Sequence, residues 1–270
     1  MRIPHRALIR LTGPDTIALL ERTVTHTVAD WREGELRYGG LLTPQGKVIA
    51  DYLALRTADG VLLDVHEDAA EDLMKRLKLF RLRSQVEIVR DDTLSVSTSE
   101  QGDDDPRSLK LPWRLYGPVA DAGEPIAPAV WQNNLIEAGV PDWGSDYRAA
   151  DVFPTDINMD VMGGVDYRKG CFVGQEVASR MKRRGKIRKR TLKVLGGALE
   201  TGAPIMADGE VGTVTSAGGG AGLALVRTDR LQKALAEGHP LSCNGAPVTL
   251  DLPDWAEAEL KALAEAGADD

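Results

Sequence analysis

Cysteine is almost missing from this chain: Cys171 and Cys243 are the two in 270 residues. Two thiols so far apart in sequence do not make a disulfide framework. They also fall short of the four thiolates that an iron–sulfur cluster ordinarily takes, so the chain alone cannot house one on cysteine ligands. Histidine is equally sparse. His5, His26, His66 and His239 are scattered, and no C-x-x-C, H-E-x-x-H or EF-hand spacing occurs, so no resident metal is expected. No apolar run is long enough to cross a bilayer, and no membrane association is expected. Met1 to Arg6 leads into a strand-like alternation without the apolar stretch of a signal peptide. These absences together predict a protein of a reducing compartment.

What is present bounds the fold. Hydrophobic residues make up 43% and charged residues 27%, a composition that builds globular cores in two or three modest domains. The formal net charge of −8 argues against a general nucleic-acid binder. Against that background Arg180, Lys182, Arg183, Arg184, Lys186, Arg188, Lys189 and Arg190 crowd into one stretch. Such a patch suits a polyglutamylated or phosphorylated small molecule, an acidic protein face, or a weak RNA contact through Lys182–Arg190. It equally suits a solvated charge run.

The densest chemistry lies in residues 163–190. Lys169-Gly170-Cys171-Phe172-Val173-Gly174-Gln175-Glu176 is a glycine-spaced loop running into a helix. Gly170 and Gly174 bracket Cys171 and permit positive φ or close backbone approach. Glu176 falls in the first helical turn, basic residues fill the last, and Gly185 suits the C′ position. Cys171 therefore precedes a helix N-terminus, with Arg168 and Lys169 beside it, a setting that favours thiolate over thiol. A small residue packed in a tight turn is the competing reading.

Along the chain, alternation predicts strands over 6–11, 35–43, 47–56, 61–65, 86–89 and 94–96. Helices are expected after Pro14, placed at the first helical position, and over 67–80. Strands 47–56 carry Asp51 on an otherwise apolar face; it is either a structural acid or one facing a polar ligand. Residues 100–106, acidic and ending in proline, read as a surface loop, and 115–128 as irregular chain. A short helix over 131–138 ends at Gly139 with Glu137 near its C-terminus, where a carboxylate needs a cation or a polar ligand beside it. Trp143, Tyr147, Phe153 and Tyr167 are core, or they wall a flat heterocycle. From Thr191 on, short strands between glycine turns predict a small β-barrel or sandwich, followed by a helix starting at Asp254. The fold class is α+β.

The K-G-C-[YF]-x-G-Q-E pattern at Lys169–Glu176 resembles the signature of the YgfZ family, folate-binding proteins related to the T-protein (aminomethyltransferase) of the glycine cleavage system. Leu41–Lys47 with Asp51 is similar to that family's early hairpin, Ile136–Pro141 to its E-x-G-[IV]-P segment, and Pro253-Asp254-Trp255 to the end of its barrel. The resemblance implies a T-protein-like three-domain ring around a central hole. It would comprise a folate-binding region 1–188, divided into 1–30 plus 100–188 and 31–99, a C-terminal small β-barrel 189–254, and a helical tail 255–270. It further implies tetrahydrofolate in the hole and support of iron–sulfur protein assembly or repair, with tRNA-modifying enzymes among the clients. The setting would be the bacterial cytoplasm, or the mitochondrial matrix in a eukaryote.

On this resemblance Cys171 is the reactive thiol and Lys169 tunes it. Gly170 and Gly174 shape the loop, Gln175 and Glu176 fix the helix entrance, and Asp51 and Glu137 orient the pterin. Ala50 and Leu135 stand where T-proteins carry an aspartate and often an arginine. Those departures set a direct aminomethyl (one-carbon) transferase as the alternative function.

Overall fold

The computed structural model describes residues 1–183 and 187–268. Its first body is built from β1 (Arg6–Thr12), α1 (Thr16–Thr23), β2 (Leu36–Leu42), β3 (Val48–Thr57), β4 (Gly60–His66), α2 (Glu67–Arg81) and β5 (Glu87–Arg90). The strands form one antiparallel sheet in the order β2-β3-β4-β1-β5. Nearly every residue of β3 and β4 is buried, which explains their long apolar runs. The helix expected to open on Pro14 instead starts at Thr16, with Asp15 as its N-cap. Residues 1–30, grouped by expectation with 100–188, supply the strand between β4 and β5, so the sheet crosses that boundary.

β6 (Leu94–Ser99) and β7 (Trp113–Pro118) form a two-stranded sheet. Two readings are corrected here. Part of the stretch expected to be irregular is β7, which pairs with β6 through six positions. The acidic loop before it is not wholly at the surface, because Asp105 is 1% exposed. It accepts from Arg107 at 2.8 and 3.0 Å and from Arg114 at 2.9 Å. Arg114 also donates to Asp64, which takes a 2.6 Å bond from Arg6. Burial works to raise the Asp105 carboxyl, but the two arginines outweigh it and hold it well below the ordinary range. Composition reads such a loop as solvated; the buried arginines that Asp105 holds, one of them tied to Asp64 of β4, sink it.

α3 (Pro128–Ala138) begins with proline at its first turn and ends on left-handed Gly139. A run of turns leads to α4 (Gln175–Arg183). The last body comprises β8 (Lys189–Gly196), β9 (Pro204–Met206), β10 (Glu210–Gly218), β11 (Ala221–Arg227), α5 (Thr228–Ala236), β12 (Ser242–Cys243) and β13 (Ala246–Asp251), then α6 (Asp254–Ala268). Its strands close into a barrel in the order β10-β11-β8-β13-β12-β9. Irregular pairing at Val214/Ser216 and Glu210/Gly212 in β10 supplies the bending that closure needs.

Candidate functional site

The Cys171 loop is built outward from Gly174. Gly174 has φ +77°, and a Cβ there would lie 2.5 Å from the carbonyl oxygen of Thr43. The loop thus lies flush on the β2–β3 turn, which the Gly46 N–H to Thr43 O bond closes at 2.8 Å. On its other side Phe172 is buried in the core of the first body. Asp166 accepts from the backbone N–H groups of Arg168 and Lys169, and the Gln175 side chain donates to the Lys169 carbonyl at 3.2 Å. Between these anchors Cys171 is exposed, whereas Cys243 is buried in the barrel. Gly170 has room: a Cβ there would meet nothing nearer than a Glu21 carboxylate oxygen at 3.9 Å. Glu176 is exposed in the first turn of α4.

Lys169 runs inward rather than along the loop. Its side chain is 2% exposed, and its ammonium donates to the carbonyl oxygens of Val24 and His26, with Glu21 at 3.6 Å. Burial lowers its pKa from the ordinary lysine value. The lysine therefore pins the thiol loop to the chain that leaves α1.

Glu137 stands elsewhere, at the end of α3. The cation that its position demands is Lys193 of the barrel, 2.6 Å away. Both line a cavity of about 240 Å³ between α3, the 158–162 turn, the barrel and Trp255. Asn158 reaches this cavity with its side-chain N–H bound to the Thr191 carbonyl, while its Oδ1 has no hydrogen-bond partner among the described residues. Arg107 lines the same cavity.

Asp51 is buried and accepts from two tyrosines, Tyr147 at 2.5 Å and Tyr38 at 3.2 Å. Burial, then the Asp51 charge, raises both phenols well above their usual range. Arg107 lies 5.9 Å from the Tyr38 ring centroid and so connects Asp51 with the Glu137 cavity. Arg107 and Tyr38 were not singled out in the sequence; nothing in their local pattern marks them, because the contact is between remote segments.

The aromatic cluster does not form one wall. Trp143 and Tyr147 are core residues, Tyr167 packs against the same core, and Phe153 lines a different cavity beneath Lys47. The basic stretch also divides. Arg190 is buried, holding Asp160, Glu259 and the Thr155 carbonyl over the face of Trp255. Lys182 pairs with Asp160 at 2.9 Å. Arg180, Arg188 and Lys189 reach solvent. Arg184, Gly185 and Lys186, and with them the expected C′ glycine, lie outside the described residues, as does the side chain of Arg183. Among the described residues no group of three or more His, Cys, Asp or Glu is arranged to hold a metal ion, and no helix is long and apolar enough to cross a membrane.

Known proteins resemble this arrangement. Residues 188–258 match the family described as "CAF17, C-terminal beta-barrel domain". The "Iron-sulfur cluster assembly factor IBA57 homolog, mitochondrial" of Mycosarcoma maydis is 30% identical over 70% of this chain and 55% of its own length. The human "Iron-sulfur cluster assembly factor IBA57, mitochondrial" is 27% identical over 94% of this chain and 84% of its own. The chain spans about half the length of the fungal relatives it matches. A crystal structure of the glycine cleavage system aminomethyltransferase T from Bartonella henselae superposes with a TM-score of 0.75 at 16% identity, covering 92% of this chain and 83% of that one. The fold is therefore that of the T-protein, α+β with a closed C-terminal barrel, and along most of its length the chain is similar to the IBA57 iron–sulfur cluster assembly factors.

Proposed function

We propose that this protein is a folate-binding factor that supports assembly or repair of iron–sulfur proteins through the Cys171 thiol. The observation that carries this reading is an exposed cysteine on a loop held from both sides, by Gly174 against Thr43 and by Lys169 against Val24 and His26. A solvent-exposed thiol on an ordered loop can reach a partner's iron or sulfur. The cluster is cargo or client chemistry, since this chain offers one exposed thiol. The relatives named as iron–sulfur assembly factors support the same reading.

The Glu137 cavity fits a pterin. A pterin edge presents adjacent N–H donors, and the cavity offers the Glu137 carboxylate to accept them. Met162 and Trp255 give apolar walls, and Lys110 suits a carboxylate of the glutamate tail. Asp51 acts from behind, through Tyr38 and Tyr147, by fixing the surroundings of Arg107.

The test is anaerobic titration with tetrahydrofolate together with complementation of iron–sulfur enzyme activity in cells lacking the protein. Glu137→Ala is expected to weaken folate binding. Cys171→Ser is expected to keep fold and folate affinity while losing complementation. Full complementation by Cys171→Ser would remove the thiol from the function.

A further inference from the structure

A second cavity, of about 400 Å³, shares no lining residue with the one at Glu137. It lies between the 151–156 segment, the second half of α4 and the start of β8. One wall is fixed in place: Val48 N–H bonds to the Val152 carbonyl at 2.9 Å, and Ala150 N–H to the Val48 carbonyl at 2.7 Å. The lining is apolar at Val152, Phe153, Met181 and Leu225. The Lys47 ammonium sits 4.1 Å from the Phe153 ring centroid, tied to the Asp151 carbonyl at 2.7 Å.

Around this apolar lining stand four cations, Lys47, Arg180, Arg188 and Lys189. Among the described residues none of them forms an ion pair within 4.0 Å, whereas the neighbouring Lys182 and Arg190 both do. Only two acids share the lining with these four cations. Asp151 accepts from the backbone N–H of Arg148, and Asp156, 7% exposed, accepts from that of Phe153. Two arginine forks and two ammonium groups on one rim match a tetrahedral dianion better than a single carboxylate. The apolar interior asks for a flat hydrophobic body attached to that anion. A polyanion is disfavoured, because the chain as a whole is acidic, at −8.

We infer that this cavity binds a phosphate-bearing aromatic small molecule of mononucleotide size, independently of the Glu137 cavity. The probe is AMP, titrated calorimetrically into the full-length protein, with adenosine, inorganic phosphate and a 20-nucleotide single-stranded RNA in parallel. One saturable AMP site is expected, with adenosine and phosphate each weaker by about tenfold or more. The double variant Arg188→Ala/Lys189→Ala changes exposed side chains, so its melting curve should match the parent while AMP affinity falls by about tenfold. Glu137→Ala should leave AMP binding unchanged, which keeps this result separate from the folate reading. Absence of saturable AMP binding, equal affinity in the double variant, or loss of AMP binding in Glu137→Ala would each overturn the inference. RNA binding that strengthens with length and is not displaced by AMP would overturn it in favour of an RNA-binding surface.

Discussion

The Lys169 ammonium donates to the carbonyl oxygen of His26 at 2.8 Å. This bond joins the residue two before the thiol to the chain that follows α1, with a second bond to Val24 at 3.0 Å. Lys169→Met keeps the stem and removes the donors, leaving two carbonyls without this partner. A loss of about 1–3 kcal/mol is expected, read from urea unfolding. Because the ammonium faces those carbonyls, its effect on Cys171 should come through loop order. The folded variant should label faster at Cys171 than the parent, because the loop is less ordered while the thiol stays exposed.

The two glycines around Cys171 should respond differently. Gly174→Ala places a Cβ 2.5 Å from the Thr43 oxygen at φ +77°, and a loss of about 1–3 kcal/mol or more is expected. Gly170→Ala meets only a carboxylate oxygen at 3.9 Å and has no positive φ to strain; it should stay within about 0.5 kcal/mol of the parent. Thermal melts of the pair check this. Equal destabilisation would show that the loop is not seated on the β2–β3 turn as described.

Arg190 should prove structural rather than ligand-binding. Its guanidinium joins Asp160 to Glu259 of α6. Arg190→Met strands the buried Asp160 with only Lys182, and about 3–5 kcal/mol should be lost. Hydrogen exchange should show α6 losing protection along with the 155–160 turn. Arg188→Ala should move neither.

Stability should fall on mild acidification, with the buried carboxyls whose pKa is raised, Asp142, Asp146 and Asp156, acting in opposition. Burial pushes His26 and His66 from 6.5 down to about 4. Their folded pKa lies below the unfolded one, so their contribution is complete above pH 6.5 and is lost as pH falls towards 4. For His26 this is worth about 3 kcal/mol. Asp142 is raised by burial from 3.8 to about 6, so its contribution is present below 3.8 and is lost as pH rises through 6. Between pH 4 and 6 the slopes oppose. Asp142→Asn removes one of the opposing contributions, and its unfolding free energy should therefore drop more steeply from pH 6.5 to 4 than the parent's. Parallel curves would rule out Asp142 as an opposing group.

Local signals were read well where one segment carries its own instruction. β3, β4 and α2 follow from alternation and helical periodicity, and the barrel from short strands between glycine turns. Gly139 after α3 follows from the left-handed conformation that glycine adopts most cheaply. The Asp105 loop departs from its composition because charge and proline describe a segment in isolation, whereas its burial depends on Arg114, which joins Asp105 to the remote Asp64 of β4.

The amino-acid order by itself determined most of the elements, the barrel and the presence of a cysteine between two glycines, because these rest on neighbours along the chain. Only the tertiary structure decided where the side chains of that motif point. It turned Lys169 inward to backbone carbonyls, set Lys193 against Glu137, closed Tyr38 and Tyr147 over Asp51, and split one basic run into a buried clamp and a solvated rim. Those outcomes depend on donors and acceptors brought together from distant segments, and folding pairs such groups whenever they are withdrawn from water.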